Sequence, residues 1–447
     1  MASIDHVYRY AQPSTLEKSG AAPTLRLVAQ SQASDSQRYF VGRLNQPLVA
    51  ALGLRAVSNL VGTRFYIPPN MRARLIAEAD PVVTVSAGRV RFEGFSACCS
   101  AYVRHDLAAD SFEAEHIQPG TTNVDFGTDM RAALATVRTN DALHLAVDEQ
   151  AVELATATES VIERKVPLPL RWIRGFAEVQ SHLVGMAHST TLKTIDAQRF
   201  LRAVPRAQAD HEQWLVTTGR SVRLSPRARK DAVMVRGTQR LRVLEPLVAA
   251  ARALEIWFND EQRSSAWVLN FGTQRLTLVL NSEPWRGFSG DGQVLTDVTA
   301  SQAATVAAVT AQLAWQSDID SNALSGATGF DSDAVTAALS TLAAQGHVGF
   351  DLATQRYFHR VLPFDLGLIE RLNPRLKSAQ TLHDSGAVTL RATDSGYSAD
   401  VRSDSVVHRI DIDPTGARCT CPWYAKHQGR RGPCKHILAT QLAIDAQ

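Results

Sequence analysis

The chain has 447 residues, of which 45% are hydrophobic and 20% are charged, and its formal net charge is +3. A chain of this length is expected to fold into about two to four domains, each with a core of its own. The composition is that of a globular protein. The small net charge excludes a surface that binds nucleic acid along its whole length, so such a role requires local clusters of charge.

Neither a membrane span nor a secretion signal is predicted. The sequence has no run of 18 apolar residues, which argues against a transmembrane helix. The N-terminal segment lacks the apolar stretch of a signal peptide. We therefore expect a cytoplasmic protein without membrane contacts. In a reducing compartment, clustered cysteine and histidine residues indicate a metal site rather than disulfides.

Residues 1–120 alternate short apolar runs with turns, which predicts an N-terminal α+β region. The stretch Arg89–Leu107 is typical of one or two strands with a break near Gly94. Cys98 and Cys99 lie within it, and adjacent strand residues point to opposite faces. We therefore expect two buried thiols that do not share a metal.

Residues 121–285 contain an apparent internal repeat in which a strand, a helix and a hairpin occur twice in the same order. This pattern predicts an α+β body in which helices cover one face of an antiparallel sheet. A helix is expected over residues 238–254 within the second repeat. The alternation resembles the units of sliding-clamp folds, although an α+β domain of no named family is better supported.

A basic cluster lies within the second repeat, at Arg220–Arg242. Its cations are Arg220, Arg223, Arg227, Arg229, Lys230, Arg236, Arg240 and Arg242, against the single acid Asp231. These residues are expected to form the solvated face of a hairpin and a helix. The other interpretation is a track for an anionic ligand, continuous with the C-terminal end of the chain.

Residues 282–293 are rich in Gly, Ser and Pro and are predicted to be a linker. Residues 295–362 then show three helical patterns and a hairpin, the order of elements in a winged helix. The third helix begins with Asp331 and Asp333 and contains no Lys or Arg before Gly346. Because acids repel phosphate, this helix is not expected to read DNA. A spacer or a protein-docking surface is the preferred interpretation.

Residues 363–447 are predicted to be β-rich and to end in a metal site. Cys419 and Cys421 are two residues apart, as are Cys434 and His436, and a loop separates the two pairs. Three thiolates and one imidazole suit a tetrahedral structural Zn²⁺ site. Such a set leaves no position open for water, so a metal-dependent hydrolase is not expected here.

The text "CTCPWYAKHQGRRGPCKHILA" resembles the SWIM zinc finger, over roughly residues 407–446. The resemblance implies a ββα fold with Cys419, Cys421, Cys434 and His436 as ligands. The longer chain resembles bacterial SWIM-finger proteins through "FYIPP", "FSACCSAYVRHDL", "GTTNVDF" and "ERKVPLPLRWIRGFAEVQ". Such proteins are often encoded beside a MoxR-type AAA+ ATPase and a von Willebrand factor A-domain protein. This implies a shared complex with these two partners.

Basic and aromatic residues lie between and beside the predicted ligands. They are Arg418, Trp423, Tyr424, Lys426, Arg430, Arg431 and Lys435. The combination suits phosphate contacts with base stacking, and it suits equally an acidic protein partner. For Trp423, packing over the small core of the finger is the preferred interpretation. His427 is expected at the surface.

No sequence motif of a catalytic site occurs. The chain lacks a phosphate-binding Gly-x₄-Gly-Lys-Ser/Thr loop, a Gly-x-Ser-x-Gly elbow and a His-Glu-x-x-His helix. The expectation is therefore a protein that is not an enzyme: a zinc-binding adaptor whose finger contacts a protein or a nucleic acid. The alternative is a direct DNA- or RNA-binding protein with a clamp-like body.

Overall fold

The computed structural model describes most of the chain. The described segments are residues 15–17, 24–26, 37–61, 63, 81–157, 159–166, 168, 170–206, 211–219, 221–230, 232–261, 263–283, 287–288, 302–362, 374–429 and 431–445. The predicted linker at 282–293 lies largely outside them, but its described residues Ser282 and Phe288 are buried, which a solvated linker does not explain. No helix of the described segments is both long enough and apolar enough to cross a membrane.

The first third of the chain is mainly β-structure around one long helix. Its elements in order are β1 (Thr15–Glu17), β2 (Thr24–Arg26), β3 (Arg38–Leu44), α1 (Pro47–Val61), β4 (Val82–Ser86), β5 (Arg89–Phe95), β6 (Ala101–Ala108), β7 (Phe112–Ile117) and β8 (Gly120–Asn123). Helix α1 buries an apolar stripe that includes Leu54, Val57 and Leu60. This spacing of three residues places the stripe on one face, against β5 and β6.

The second third repeats the alternation of strands and helices. It contains α2 (Thr128–Thr136), β9 (His144–Asp148), β10 (Ala151–Ala155), β11 (Ser160–Arg164), α3 (Leu170–Val184), β12 (Ala187–Lys193), α4 (Thr194–Ala203), β13 (Gln213–Thr218), β14 (Ser221–Ser225), β15 (Val233–Val235), β16 (Ala253–Asn259), β17 (Ser264–Asn270) and β18 (Gln274–Asn281). The helix expected over residues 238–254 is wrong. A 3₁₀ segment, Thr238–Leu244, is followed by turns, because Pro246 lacks the N–H that a continuing helix requires.

The body is built on an eight-stranded antiparallel sheet with strand order β12-β16-β17-β18-β6-β5-β4-β8. Strand β6 pairs with β18, with Ala101 opposite Leu280. The sheet therefore runs across the predicted limit at residue 120 and joins both predicted regions. A five-stranded sheet of order β11-β10-β9-β3-β7 and a three-stranded sheet of order β14-β13-β15 complete the body.

Helices cover both faces of the eight-stranded sheet, so the expectation of one covered face is wrong. Along β6, Val103 and Leu107 belong to the core under α1, whereas Tyr102 belongs to a second core on the opposite face. Phe176 of α3 and Leu339 of a later helix lie in that second core. Strand residues alternate between faces, and in β6 both faces are buried, the second one including the paired Arg104 and Asp106. A sheet that is buried on two faces needs cover on each side.

The second core includes a compact helical module, which we define as residues 302–362. It contains α5 (Ala303–Ala311), α6 (Ser321–Thr328), α7 (Ser332–Ala344), β19 (Val348–Asp351) and β20 (Arg356–His359). Asp320 and Asp331 cap α6 and α7 by accepting backbone N–H bonds. Three helices and a hairpin occur in the predicted order, and naming them a winged helix stays a prediction.

The C-terminal region is a four-stranded meander with flanking helices. Its elements are α8 (Pro374–Asp384), β21 (Val388–Thr393), β22 (Gly396–Ser403), β23 (Val406–Asp413), β24 (Gly416–Cys419), α9 (Pro422–His427) and α10 (Lys435–Asp445). Leu438 of α10 and Leu376 of α8 pack in one small core with Ala177 of α3 and Ala344 of α7. The C-terminal helices therefore contact both the body and the helical module.

Candidate zinc site

The first ligand pair lies where a hairpin ends. Strands β23 and β24 pair with Ile410 opposite Cys419, and the turn between them is fixed by Asp413, which accepts the Thr415 backbone N–H at 2.7 Å. Two residues after Cys419, Cys421 is the N-cap of α9, and Pro422 occupies the first helical turn. Proline fits that position because its missing N–H has no intrahelical partner there.

The second ligand pair lies at the start of the last helix. Cys434 immediately precedes α10 and its carbonyl accepts the Leu438 N–H at 3.1 Å. His436 is the second residue of α10. Cys434 thus lies before the helix and His436 in its first turn.

All four side chains converge on one buried point. The ligand atoms of Cys419, Cys421, Cys434 and His436 lie within 4.8 Å of one another, and all four residues are buried. The His436 Nδ1 lies 3.8 Å from Cys419 Sγ and 4.0 Å from Cys434 Sγ. A tetrahedral zinc ion, with Zn–S of about 2.3 Å and Zn–N of about 2.0 Å, holds such atoms roughly 3.5–3.8 Å apart. The donor set therefore fits Zn²⁺ with His436 coordinating through Nδ1.

Backbone N–H groups point at the sulfurs. The Cys421 N–H donates to Cys419 Sγ at 3.4 Å, and the Tyr424 N–H donates to Cys421 Sγ at 3.3 Å. Backbone N–H groups of His436 and Ile437 donate to Cys434. Since a hydrogen bond to a charged group stabilises that form, these donors favour the thiolates that a metal requires.

Without a metal, the thiols share protons. A hydrogen bond from the Cys419 thiol, together with the backbone donors, lowers the pKa of Cys434 to about 4. The same bond raises the pKa of Cys419, which keeps the shared proton, and burial raises the pKa of Cys421. Zinc binding must displace these protons, so it is coupled to pH and to local folding.

His436 is held by ring packing. Its ring centroid lies 4.3 Å from that of His408, at an interplanar angle of 36°. Its Nε2 is buried without a hydrogen-bond partner in the described structure. His427 is outside the ligand group, with its ring 4.8 Å from that of Trp423. Three thiolates and one imidazole complete a structural zinc site and leave no position for a reactive water.

Several predicted contact residues support the finger from within. The Tyr424 hydroxyl donates to the Ala417 carbonyl at 2.9 Å. The Arg375 guanidinium lies 4.8 Å from the centre of the Trp423 ring. Trp423 also packs against the small core that contains three of the ligands, which is the interpretation preferred from the sequence. Arg418, Lys426 and Arg431 are exposed, Lys435 is half-buried, and Arg430 lies outside the described residues.

Arg375 is a residue that the sequence reasoning missed. It belongs to α8, and its Nη1 donates to the carbonyls of Arg431 at 2.8 Å and Pro433 at 3.0 Å. It therefore ties the loop that precedes the second ligand pair to a helix outside the finger. Its distance from the motif along the chain gives no local signal of this role.

The basic cluster does not form one exposed face. Arg240 is buried and donates to Ser100 Oγ at 2.6 Å and to Cys98 Sγ at 3.0 Å. Arg242 pairs with Glu245 at 2.6 Å. Half-buried Arg236 lies 3.9 Å from Glu212. The remaining described members are exposed: Arg223, Arg227, Arg229 and Lys230. Arg220 and Asp231 lie outside the described residues.

Cys98 and Cys99 lie in the turn between β5 and β6, not inside a strand as expected. Cys99 has a positive φ of 52°, which an extended strand does not contain. Cys99 is buried, and burial raises the pKa of its thiol to about 12. Cys98 is half-buried and contacts Arg240.

The hairpin of the helical module is buried against the body. Arg360, which follows β20, is fully buried and forms an ion pair with Glu93 of β5 at 2.6 Å. His359 is 7% exposed, and its Nδ1 accepts the Trp315 backbone N–H at 2.7 Å. Among Arg356, His359 and Arg360, the cationic or titratable residues of this hairpin, Arg356 is the exposed one.

The chain matches one protein family over a short segment. The SWIM zinc finger model covers residues 408–444. No curated protein matches the chain.

Solved structures of proliferating cell nuclear antigens are similar to a little over half of the chain. The protein from Entamoeba histolytica has 13% identity and a TM-score of 0.37, and covers 55% of this chain and 99% of its own. The PCNA2–PCNA3 complex from Sulfolobus tokodaii has 10% identity, a TM-score of 0.39 and the same coverage. The A. fulgidus PCNA, bound to the C-terminal region of FEN-1, has 11% identity and a TM-score of 0.38, with 54% and 97% covered.

The family match and the geometry agree on the same four residues. The matched segment contains both ligand pairs, and the side chains meet at a single buried point. Residues 408–444 are therefore a SWIM zinc finger whose Cys419, Cys421, Cys434 and His436 are positioned to bind a zinc ion.

Proposed function

We propose that this protein is a zinc-binding adaptor that is not an enzyme and that uses its C-terminal finger to contact a partner. The closed and buried Cys₃His set carries this proposal. A complete ligand set stabilises a fold and offers no site for chemistry. The function of the finger then lies in the surface that it displays.

That surface is basic. From residue 417 onward, the described cations are Arg418, Lys426, Arg431 and Lys435, and the described acid is Asp445. Because the Trp423 ring is engaged by Arg375 and His427, it is a poor platform for stacking a base. An acidic protein surface is therefore the better-supported partner.

The partner complex that we propose contains a MoxR-type AAA+ ATPase and a von Willebrand factor A-domain protein. The resemblance to bacterial SWIM-finger proteins supports this choice. The helical module supports an adaptor role because its hairpin is anchored on the body through Arg360 and Glu93, and its Ala344 packs with Leu438 of α10.

The absence of catalysis is also a proposal. One cavity of the described structure lies between α4 and β14, and no His, Cys, Lys or Glu lines it. The lining carboxylate of Asp196 lies 3.6 Å from Arg199, and the Ser221 hydroxyl donates to the Thr218 carbonyl, so this nucleophile is not paired with a base there.

Co-purification tests the adaptor function. We expect the tagged, zinc-loaded chain to elute with the ATPase and the A-domain protein in size-exclusion chromatography. Reversing two finger charges, with Arg418→Glu and Arg431→Glu together, should weaken this association. Matched reversal of two exposed body residues, Arg131→Glu and Arg138→Glu, should leave it unchanged. Equal association of both variants would contradict a role of the finger surface.

Direct nucleic-acid binding is the second candidate, and the exposed cations of the finger favour it. Binding of mixed-sequence DNA, measured by fluorescence anisotropy at increasing salt, distinguishes it. A steep salt dependence that becomes flatter in the Arg418→Glu/Arg431→Glu variant would support nucleic acid, since each phosphate contact contributes to the slope. No binding at about 50 mM salt would contradict it.

A further inference from the structure

A groove on the body lies far along the chain from the finger and plays no part in the zinc site. It is a cavity of about 320 Å³ between α4 and β14, at the lower end of the volumes typical of ligand pockets. Its lining is Asp196, Arg199, Phe200, Ala203, Val204, Pro205, Gln213, Ser221, Val222, Arg223, Leu224 and Pro226.

The floor of the groove is apolar and rigid. Phe200, Val204 and Val222 are each less than a tenth exposed, and all three belong to the core under the sheet. The Phe200 ring stacks on Trp267, with centroids 5.5 Å apart and an interplanar angle of 4°. A preformed apolar floor binds an apolar side chain without a cost for ordering the site.

The rim of the groove is basic. Arg199 and Arg223 line it and are exposed. Exposed Arg206 and Arg227 directly follow the lining residues Pro205 and Pro226 in the chain.

Acids near the groove are already engaged. Asp196 lies 3.6 Å from the Arg199 guanidinium, and Glu212 lies 3.1 Å from Arg263. Across the described residues from 194 to 230, the cations are Arg199, Arg202, Arg206, Arg223, Arg227, Arg229 and Lys230, against these two acids. The local field therefore favours an anionic ligand.

We propose that this groove binds a short acidic peptide segment of a partner protein, with one or two apolar side chains inserted between α4 and β14. The apolar floor takes the inserted side chains, and Arg199 and Arg223 pair with flanking Asp or Glu residues. The site is a second docking surface, separate from the zinc finger, and does not depend on what the finger binds.

A peptide fits this groove better than a nucleic acid does. Nucleic-acid binding sites combine cations with aromatic faces on which bases stack. The aromatic residue in this lining, Phe200, is buried and already stacked on Trp267. What remains accessible is an aliphatic concavity between cations, which suits Leu- or Phe-containing acidic sequences.

Fluorescence anisotropy on the zinc-loaded full chain tests the proposal. The probe is a labelled ten-residue peptide with a Leu and a Phe between runs of Asp and Glu. The comparison ligands are the same peptide with both apolar residues replaced by Ser, and a single-stranded DNA of equal length.

Three variants accompany the wild type. The Arg199→Glu/Arg223→Glu variant reverses the rim charge, and Ala203→Trp fills the mouth of the groove while keeping the charge. Arg131→Glu/Arg138→Glu, which reverses two exposed charges elsewhere on the body, is the matched control.

We expect saturable binding of the mixed peptide, weakened about tenfold or more by either groove variant and unchanged by the control. Equal affinity for the Ser-substituted peptide would overturn the proposal, because charge alone would then explain binding. Tighter binding of the DNA, lost in the rim variant, would assign the groove to nucleic acid instead. No saturation below about 1 mM peptide would also overturn it.

Discussion

The helical module, residues 302–362, and the C-terminal sheet that includes the zinc finger, residues 388–445, are stabilised in different ways. Each is about 60 residues long, a size at which a single core gives marginal stability. The helical module shares the second core of the body and adds a buried ion pair between Arg360 and Glu93. The finger has a small core of its own that contains three of its zinc ligands. The first depends on the body, and the second depends on a metal.

The buried charges of the helical module form more than one pair. Asp351 of β19 accepts from Arg89 at 2.7 Å and from Arg104 at 3.1 Å. The Arg91 guanidinium lies over the Phe358 ring of β20, with its carbon 3.7 Å from the centre of that ring. Because an unpaired buried charge is costly, such a network fixes one docking geometry. The comparison predicts that metal loss unfolds the finger alone, whereas loss of one charge loosens the helical module on the body.

Removal of zinc should have the largest effect. We expect Cys434→Ser to reduce bound zinc from about one per chain to near zero, since structural zinc contributes on the order of 10 kcal/mol to the folding of small fingers. Metal analysis measures the loss, and hydrogen exchange should show rapid exchange in β22–β24 and α10 with the body still protected. Cys98→Ser, which lies outside the ligand group, should keep its zinc. Full zinc retention by Cys434→Ser would contradict the assignment.

Loss of one buried charge should have the next largest effect. Both Glu93 and Arg360 are fully buried, so Glu93→Gln leaves an uncompensated guanidinium and should lower the free energy of unfolding by about 3–5 kcal/mol. Denaturant unfolding measures this change.

Two further variants sharpen this test. Adding Arg360→Met to Glu93→Gln should recover part of the loss, because no unpaired charge then remains. As a control, Arg391→Ala breaks the exposed pair with Asp400 and should cost less than about 1 kcal/mol. If breaking the buried pair and breaking the exposed pair lowered the free energy of unfolding equally, the buried network would not stabilise the helical module in the way proposed.

Acid should weaken the helical module through His359. Burial lowers the pKa of His359 from 6.5 to about 4, with His347 as a second cause. Because this pKa is lower in the folded state, His359 binds a proton first in the unfolded chain as the pH falls. The stability that neutral His359 contributes is therefore fully present above pH 6.5 and is lost as the pH falls toward 4. Protonation of Nδ1 also removes the acceptor of the Trp315 N–H. The expected loss is on the order of 2 kcal/mol.

Hydrogen exchange of β19 and β20 between pH 7 and pH 4.5, corrected for the intrinsic rate, measures this effect separately from acid release of zinc. His359→Asn, which keeps an acceptor near the Nδ1 position, should flatten the pH dependence. His211→Asn, at an exposed position, is the control and should preserve it. An unchanged pH dependence in His359→Asn would exclude His359 as the cause.

The zinc site was predictable from sequence because its determinants are local. Cys419 and Cys421 at the end of a hairpin, and Cys434 and His436 at the start of a helix, fix the ligand positions through short-range geometry. Turn residues such as Thr415 similarly mark the hairpin that carries the first pair. Local patterns were also sufficient for most strands and for the order of the helices in residues 302–362.

The errors arose where distant parts of the chain decide the structure. Arg360 follows a hairpin strand in which nothing local indicates burial, but it forms a buried ion pair with Glu93, more than 250 positions earlier in the sequence. Cys98 was expected in a strand, but it lies in a turn, where it contacts the distant Arg240. One sequence contains no signal for such pairs, because each residue is ordinary in its own segment.

Substitution of Arg375 should have the smallest effect on stability of these changes. It is also the most specific test, because Arg375 links the zinc-dependent finger to a helix that packs on the body. It extends from α8, whose Leu376 packs with Ala177 of the body, to the carbonyls of Arg431 and Pro433 beside the second ligand pair. Arg375→Ala should cost about 1 kcal/mol by removing two hydrogen bonds and the contact with Trp423. Competition with a zinc-binding dye should show a several-fold weaker zinc affinity, with one zinc still bound per chain.

Arg375→Lys separates the components of this contact. Lysine keeps the positive charge but lacks the planar fork of donors, so it should recover the ring contact and only part of the hydrogen bonding. The neighbouring exposed Lys377→Ala is the matched control. If Arg375→Ala binds zinc as tightly as Lys377→Ala does, the finger closes independently of α8. The metal, rather than α8, would then fix the second ligand pair.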